Sequence, residues 1–183
     1  AVFQTARAET FERRGDLFAV RLSGESGGTG QGRTLLLATG VVDIKPDLPG
    51  IDAAIRRALV RICPICDAYE AIDQAIAVLG DGPLGAREAI FLRTYSDPLA
   101  LVHVGAAHTL SAEARRALAE AGIDLIETPI EDVLVEQDRI VALGFSGSGL
   151  RRFDNVYCAL GTTPQWLLAE QLGAEVDPAG RLQ

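Results

Sequence analysis

The stretch Ile76-Ala77-Val78-Leu79-Gly80-Asp81-Gly82-Pro83-Leu84-Gly85 decides the fold. It opens on a short apolar run and closes on a G-x-G-x-x-G. Ala75 to Leu79 has the small, partly β-branched composition of a strand buried on both faces. Beyond the glycines, Ala86-Arg87-Glu88-Ala89-Ile90-Phe91-Leu92-Arg93 consists of good helix formers, with Ala89, Ile90 and Leu92 expected on a buried face. The glycine pattern carries meaning only when a strand leads in and a helix leads out, and both are expected here. Gly80 then makes the tight turn, Gly82 lets backbone N–H groups approach a pyrophosphate, and Gly85 lets the helix pack close to the strand. Pro83 and Leu84 complete the cradle. The anion sits at the positive end of the helix dipole. The plainer alternative is a glycine-rich strand-to-helix turn with no ligand.

Just upstream stands Cys63-Pro64-Ile65-Cys66-Asp67-Ala68-Tyr69. A C-x-x-C is half a zinc site, a redox pair or two inert buried thiols. His103 and His108 have a spacing that zinc fingers use, but a strand, a loop and a helix separate them from Cys66, and a finger has no room for that insert. For the redox reading, Pro64 suits the first turn of a helix. That puts Cys63 at the helix N-terminus, where the dipole stabilises a thiolate. Asp67 is then either a proton donor and acceptor for the pair or a solvent-exposed, turn-capping acid. A thiol pair ahead of a nucleotide loop suggests dithiol chemistry driven by a nicotinamide.

Together, Cys63-Pro64-Ile65-Cys66-Asp67-Ala68-Tyr69 and Gly80-Asp81-Gly82-Pro83-Leu84-Gly85 resemble the low-molecular-weight thioredoxin reductases. In those flavoproteins C-x-x-C-D precedes the NADPH-binding glycine loop at about this interval. Leu35-Leu36-Leu37-Ala38-Thr39-Gly40, running on to Pro49-Gly50, is similar to the crossover out of the family's flavin domain. Tyr157-Cys158-Ala159-Leu160-Gly161-Thr162-Thr163-Pro164-Gln165 is similar to its return strand and G-x-x-P segment. The resemblance implies that NADPH or NADH passes hydride to FAD, and that FAD reduces the Cys63–Cys66 disulfide. It implies that Cys66 faces the flavin, that Cys63 exchanges with a thioredoxin-like protein or small disulfide, and that Asp67 handles the proton. Homodimers are usual in the family.

Two departures bear on cofactors. After the strand Leu99 to Val104 the family shows a His-Arg-Arg run that holds the 2′-phosphate of NADP. Here His103-Val104-Gly105-Ala106-Ala107 matches only at His103, and no acid replaces the arginines to favour NAD. His103 is a candidate contact to the ribose phosphate or a structural residue. Arg115 and Arg116, on a helix expected over Ser111 to Ala121 and ended by Gly122, are either substitutes or solvent-exposed charges. The second departure is the flavin domain, which in the family opens with its own G-x-G-x-x-G and closes on an apolar strand ending in Gly-Asp. Neither occurs, so FAD is expected to belong to the whole enzyme and not to be held tightly by this chain.

The expected class is α/β, a Rossmann-like NAD(P)-binding domain with flanking β-rich pieces of an incomplete FAD-binding domain. Residues 1–44 read as a β-meander, with strands at Ala6–Phe11, Leu17–Leu22 and Thr34–Ala38 and a floppy loop over Ser23–Gly32. Residues 45–158 read as the nucleotide domain carrying the C-x-x-C, and residues 159–183 as the partial return. Within the nucleotide domain Ile123–Ile126 is a third strand, Val133–Val135 and Ile140–Phe145 form a hairpin, and Val156–Leu160 is a further buried strand enclosing Cys158 as a core thiol. Arg56, Arg57 and Arg61 form a small basic cluster, either a solvated face or a surface for a partner or cofactor phosphate. Trp166 and the residues after it suggest a packed surface helix.

A net charge of -8 argues against nucleic-acid or anionic-membrane surfaces. No apolar run approaches the ~18 residues of a membrane span, and no signal-peptide pattern opens the chain. Three cysteines make no disulfide scaffold, so a reducing cytoplasm is expected. Methionine is absent even at position 1, which suits a processed or excised piece. Two rival functions fit the same residues: a dithiol oxidase that passes electrons to oxygen, and a non-catalytic nucleotide-binding module.

Overall fold

The computed structural model describes residues 3–25, 27–104, 109–136, 139–178 and 181–182, with the backbone alone at 139 and 141. Internal contacts divide the chain into two units, residues 43–161 and residues 1–42 joined by 162–183. The boundaries expected from the sequence were 44/45 and 158/159.

The discontinuous unit begins with β1 (Arg7–Arg14), β2 (Leu17–Ser23) and β3 (Gly28–Gly32), an antiparallel sheet in that order. β3 corrects the sequence reading, which expected a loop there and a strand over Thr34–Ala38. The ladder from Phe18↔Gly32 to Leu22↔Gly28 is built by backbone groups, so a glycine-rich segment can supply it without side chains. Residues 34–38 have no regular structure, and Leu36 is 87% exposed. An apolar run makes a strand only where another strand stands beside it.

β4 (Val41–Asp43) leads into the continuous unit, which opens with α1 (Ile51–Arg56), β5 (Val60–Arg61), α2 (Pro64–Asp67) and a 3₁₀ turn over Ala68–Ala71. Then come β6 (Ile76–Gly80), α3 (Gly82–Leu92), β7 (Leu99–His103), α4 (Ala112–Glu120) and β8 (Asp124–Ile126). An antiparallel sheet of β9 (Ile130–Glu136), β10 (Arg139–Phe145) and β11 (Gly149–Arg151) follows, before β12 (Asn155–Ala159). The sequence pattern contained the first two strands of that sheet and missed the third. Back in the discontinuous unit, β13 (Thr162–Pro164) pairs with β4, and α5 (Leu167–Glu170) is a single turn after Trp166 with Ala169 buried.

The central sheet has the order β5-β12-β6-β7-β8, and all of its pairings are parallel. The chain steps outward from β6 to β8 and then returns on the other side of β6 as β12. That reversal creates a switch point, where α/β sheets open a crevice beyond the strands' carboxyl ends.

Burial explains why β6 reads as an unbroken apolar run. Ile76 and Val78 face one core with Ala86, Ala89, Leu92 and Leu118 of the helices. Ala77 and Leu79 face another with Ile140, Leu143, Phe145 and α1. Each fully buried Leu, Ile or Val contributes roughly 1.5–3 kcal/mol. On α3 the buried positions are Gly82, Gly85, Ala86, Ala89 and Leu92, while Ile90, expected inside, is 37% exposed. Ile90 lies one residue past Ala89, about 100° around the helix and off the stripe.

Candidate active site

Gly80 ends β6, and Asp81 in extended backbone caps α3 with Pro83 in its first turn. A Cβ on Gly80 would stand 2.7 Å from Gly85 Cα, and one on Gly85 would stand 2.9 Å from Gly80 Cα. The strand end and the first helical turn therefore touch backbone to backbone, which only glycine permits. Gly82 differs: its φ is +49° and a Cβ there meets nothing within 4 Å. Helix α3 starts at this loop, an arrangement suited to a phosphate. Leu84 packs so close to Gly161 that a Cβ on that glycine would come within 2.9 Å of Leu84 Cδ2.

Beyond the carboxyl ends of β6, β7 and β12 lies a cleft of about 380 Å³, bordered among others by Lys45, Asp81, His103, Glu127, Ile130 and Leu160. His103 is buried at the end of β7, with Nε2 2.7 Å from Thr109 Oγ1 and 3.1 Å from Asp81 Oδ1. Thr109 Oγ1 donates to Asp81 Oδ1 at 2.9 Å, so the three side chains brace the glycine loop. The imidazole is turned onto the protein. Residues 105–108, where the sequence departs from the arginine run and where His108 stands, lie outside the described residues.

Arg115 makes a bidentate pair with Glu127 at 2.8 and 2.6 Å, and that hydrogen bond first of all raises its pKa. Arg116 pairs loosely with Glu120 at 3.7 Å. Both cations offered by the sequence as substitutes for the missing arginines are thus engaged with carboxylates of the chain itself.

Cys63 caps α2 and Cys66 sits in it, and the two form a disulfide with Cα atoms 5.3 Å apart. Helix α2 is only four residues long, so the dipole expected at Cys63 is that of a single turn. Cys66 is exposed and Cys63 half-buried. Ile65 and Tyr69 beside the pair are 86% and 67% exposed. No group of three or more His, Cys, Asp or Glu suited to a metal occurs among the described residues.

Asp67 is not a free surface acid. Its Oδ1 accepts a 2.9 Å hydrogen bond from Tyr157 Oη, and its Oδ2 lies 3.3 Å from Arg61 Nη1. Arg61 also reaches Glu70 at 3.0 Å and stands 5.9 Å above the Tyr157 ring. Burial first, and then the bond to Asp67, push the Tyr157 phenol well above its ordinary pKa, so it stays a proton donor to the carboxylate. Burial works against the Arg61 charge, but Tyr157, Asp67 and Glu70 together outweigh it and raise its pKa. Arg61 therefore leaves the basic cluster that the sequence suggested and becomes an internal partner. Tyr157 was missed as a site residue. A tyrosine within a buried strand signals that its hydroxyl has a partner, but nothing local identifies a carboxylate 90 residues away.

Residues 3–183 match the family model described as pyridine nucleotide-disulphide oxidoreductase. The thioredoxin reductase tcpT of Claviceps purpurea is 40% identical over 73 residues, 40% of this chain and 22% of that protein. The thioredoxin reductase of Streptomyces coelicolor is 35% identical over 95 residues, 48% of this chain and 29% of that protein. Among solved structures, HlmI superposes with a TM-score of 0.88 at 30% identity, covering 100% of this chain and 57% of that one. The thioredoxin reductase of Streptococcus pyogenes superposes at 0.80 with 22% identity, covering 97% and 58%, and shows the shared fold. The chain thus spans well under two thirds of each of these relatives.

Proposed function

The chain belongs to the pyridine nucleotide-disulphide oxidoreductase family, and from that premise we propose that it is the nucleotide- and disulfide-bearing part of a thioredoxin reductase-like enzyme. In the whole protein NADPH or NADH and FAD would supply the reducing equivalents, and Cys63–Cys66 would hand them to a disulfide of a thioredoxin-like protein or a small molecule. The observation that carries this reading is one α/β unit holding both a glycine cradle at the switch point and a closed C-x-x-C.

The cradle fits a dinucleotide: Gly80 and Gly85 leave no room for a Cβ, and a Cβ on Gly82 would meet nothing within 4 Å. Gly80, Gly82, Pro83, Leu84 and Gly85 would hold the pyrophosphate, with His103 bracing the loop through Asp81. A bound nicotinamide supplies a hydride. Among the described residues the discontinuous unit has no strand–glycine loop–helix, so no residue of this chain is assigned to FAD and no step is derived through it. Cys63 and Cys66 exchange with the substrate disulfide as thiolates and need no metal. Asp67 carries the proton. Ile65 and Tyr69 offer the substrate an apolar contact beside the pair. A homodimer in the cytoplasm is the proposed setting. No helix among the described residues is long and apolar enough to cross a membrane.

The test uses the whole protein with its flavin, titrated anaerobically with NADPH. Bleaching of the flavin band and release of two thiols per chain are expected. Cys63→Ser and Cys66→Ser should each abolish disulfide reduction while the flavin still bleaches. Disulfide reduction at the wild-type rate in both variants would sink the reading.

The missing arginine run, with Arg115 and Arg116 both engaged, favours a second reading, a dithiol oxidase of the same architecture. Peroxide formed from a dithiol and oxygen without any nicotinamide would select it.

A further inference from the structure

We propose that Arg61 and Tyr157 are positioning residues for thiol–disulfide exchange, holding the Asp67 carboxylate in place as the proton acceptor of the Cys63–Cys66 pair. The inference rests on the redox reading of that pair and deepens it.

The sheet itself builds the arrangement. β5 runs into the disulfide, and Arg61 is paired in register with Tyr157 of the adjacent strand β12. Their side chains converge on opposite oxygens of Asp67, the residue after Cys66: Tyr157 on Oδ1 at 2.9 Å and Arg61 near Oδ2 at 3.3 Å. Arg61 Nη1 also lies 3.3 Å from the Asp67 carbonyl oxygen and 3.0 Å from Glu70 Oε2. Arg61 Nη1 thus ties the Asp67 backbone to the following turn and stands as an ion-pair partner beside the Asp67 carboxylate. Tyr157 is wholly buried, and the Arg61 and Asp67 side chains are only 20% and 29% exposed. Tyr157 donates to one oxygen and the Arg61 guanidinium stands beside the other, which fixes the carboxylate's rotamer. The charged and titratable groups facing Asp67 are then Arg61 from β5, Glu70 from the 3₁₀ turn and Tyr157 from β12.

The step balances as follows. One thiol of the reduced pair has already formed a mixed disulfide with the substrate. The other gives its proton to the Asp67 carboxylate, and its sulfur attacks the pair's sulfur in the mixed disulfide. The Cys63–Cys66 bond forms, the mixed bond breaks, and the substrate sulfur leaves with the electron pair as a thiolate. The pair is oxidised by two electrons and the substrate disulfide is reduced by two. Positioned general bases contribute on the order of 10²–10⁴-fold.

The experiment uses the full chain, reduced with dithiothreitol, desalted and mixed with an aromatic disulfide whose released thiolate is coloured. The first equivalent reports formation of the mixed disulfide and the second reports closure. Cys63→Ser and Cys66→Ser identify the closing phase by losing it. Asp67→Asn is expected to slow closure about 100-fold. Tyr157→Phe and Arg61→Met should each slow it about 5- to 20-fold and alter its pH profile, while Arg61→Lys restores most of the rate. Each variant is checked for the wild-type circular dichroism spectrum. In the Asp67→Asn background Tyr157→Phe should have no further effect, because it acts through that carboxylate. Folded variants that close at the wild-type rate and pH profile, or equal slowing by Tyr157→Phe with and without Asp67, would overturn the positioning role alone. If the wild-type pair never closes, the redox reading falls with it. No nicotinamide or flavin is needed, so the result does not depend on the nucleotide assignment.

Discussion

At the residue scale, the glycines of the cradle divide into two physical kinds, and substitution separates them. Gly85→Ala drives a methyl into the Gly80 backbone and is expected to destabilise by about 1–3 kcal/mol, read as a lower urea midpoint. Gly82→Ala places a methyl in open space at φ +49°, at a cost of about 1 kcal/mol of backbone strain. It should nevertheless weaken dinucleotide binding more than Gly85→Ala does per unit of stability lost, as titration calorimetry would show. Cys158 provides a pH prediction. Burial first of all pushes its thiol up to about 11, and Glu88 and Asp43 add to this against a backbone hydrogen bond. The unfolded thiol loses its proton near pH 8.5, so above that pH the native state binds the extra proton and stability falls as pH rises. The loss should approach about 3 kcal/mol by pH 11, with the Tyr157 phenol adding to it in the same direction. Urea midpoints of wild type and Cys158→Ala across pH 8–11 check this; the variant's curve should be flatter.

At the scale of elements, α4 is seated on the sheet by one fully buried side chain and one cap beside its Arg115–Glu127 pair. Leu118 is its only buried residue, at 1% exposure, and Ser111 caps it by accepting from the Ala114 N–H at 3.1 Å. Leu118→Ala should cost about 2–5 kcal/mol and Ser111→Ala about 1 kcal/mol, both measured by denaturant unfolding. The same contrast explains what the sequence revealed. The strand, glycine loop and helix around Gly80 could be read because burial on both faces and backbone contact each leave a local signature. The strand at Gly28–Gly32 and the coil at Thr34–Ala38 were interchanged because pairing partners, and not local composition, decide them. Cys63, Cys66 and Asp67 stood out by spacing. Arg61 looked like one of three surface arginines, and Tyr157 like core, because only the register of β12 on β5 brings them to Asp67.

At the scale of the molecule, residues 43–161 form a unit continuous in sequence, while residues 1–42 and 162–183 make up the other. A piece spanning 43–161 is expected to unfold in one cooperative transition with the disulfide still able to exchange; a broad, non-cooperative melt would count against it. The parallel placement of β12 beside β5 has a consequence for synthesis. Both sulfurs, Asp67 and Arg61 leave the ribosome early, whereas Tyr157 is made 90 residues after Asp67 and must insert between strands already formed. A nascent chain that ends before β12 carries the cysteine pair without the second donor to its carboxylate. On the proposed role of Asp67, full proton chemistry at the pair is a property of the finished sheet, and a stalled or clipped chain bears thiols that have not yet acquired it.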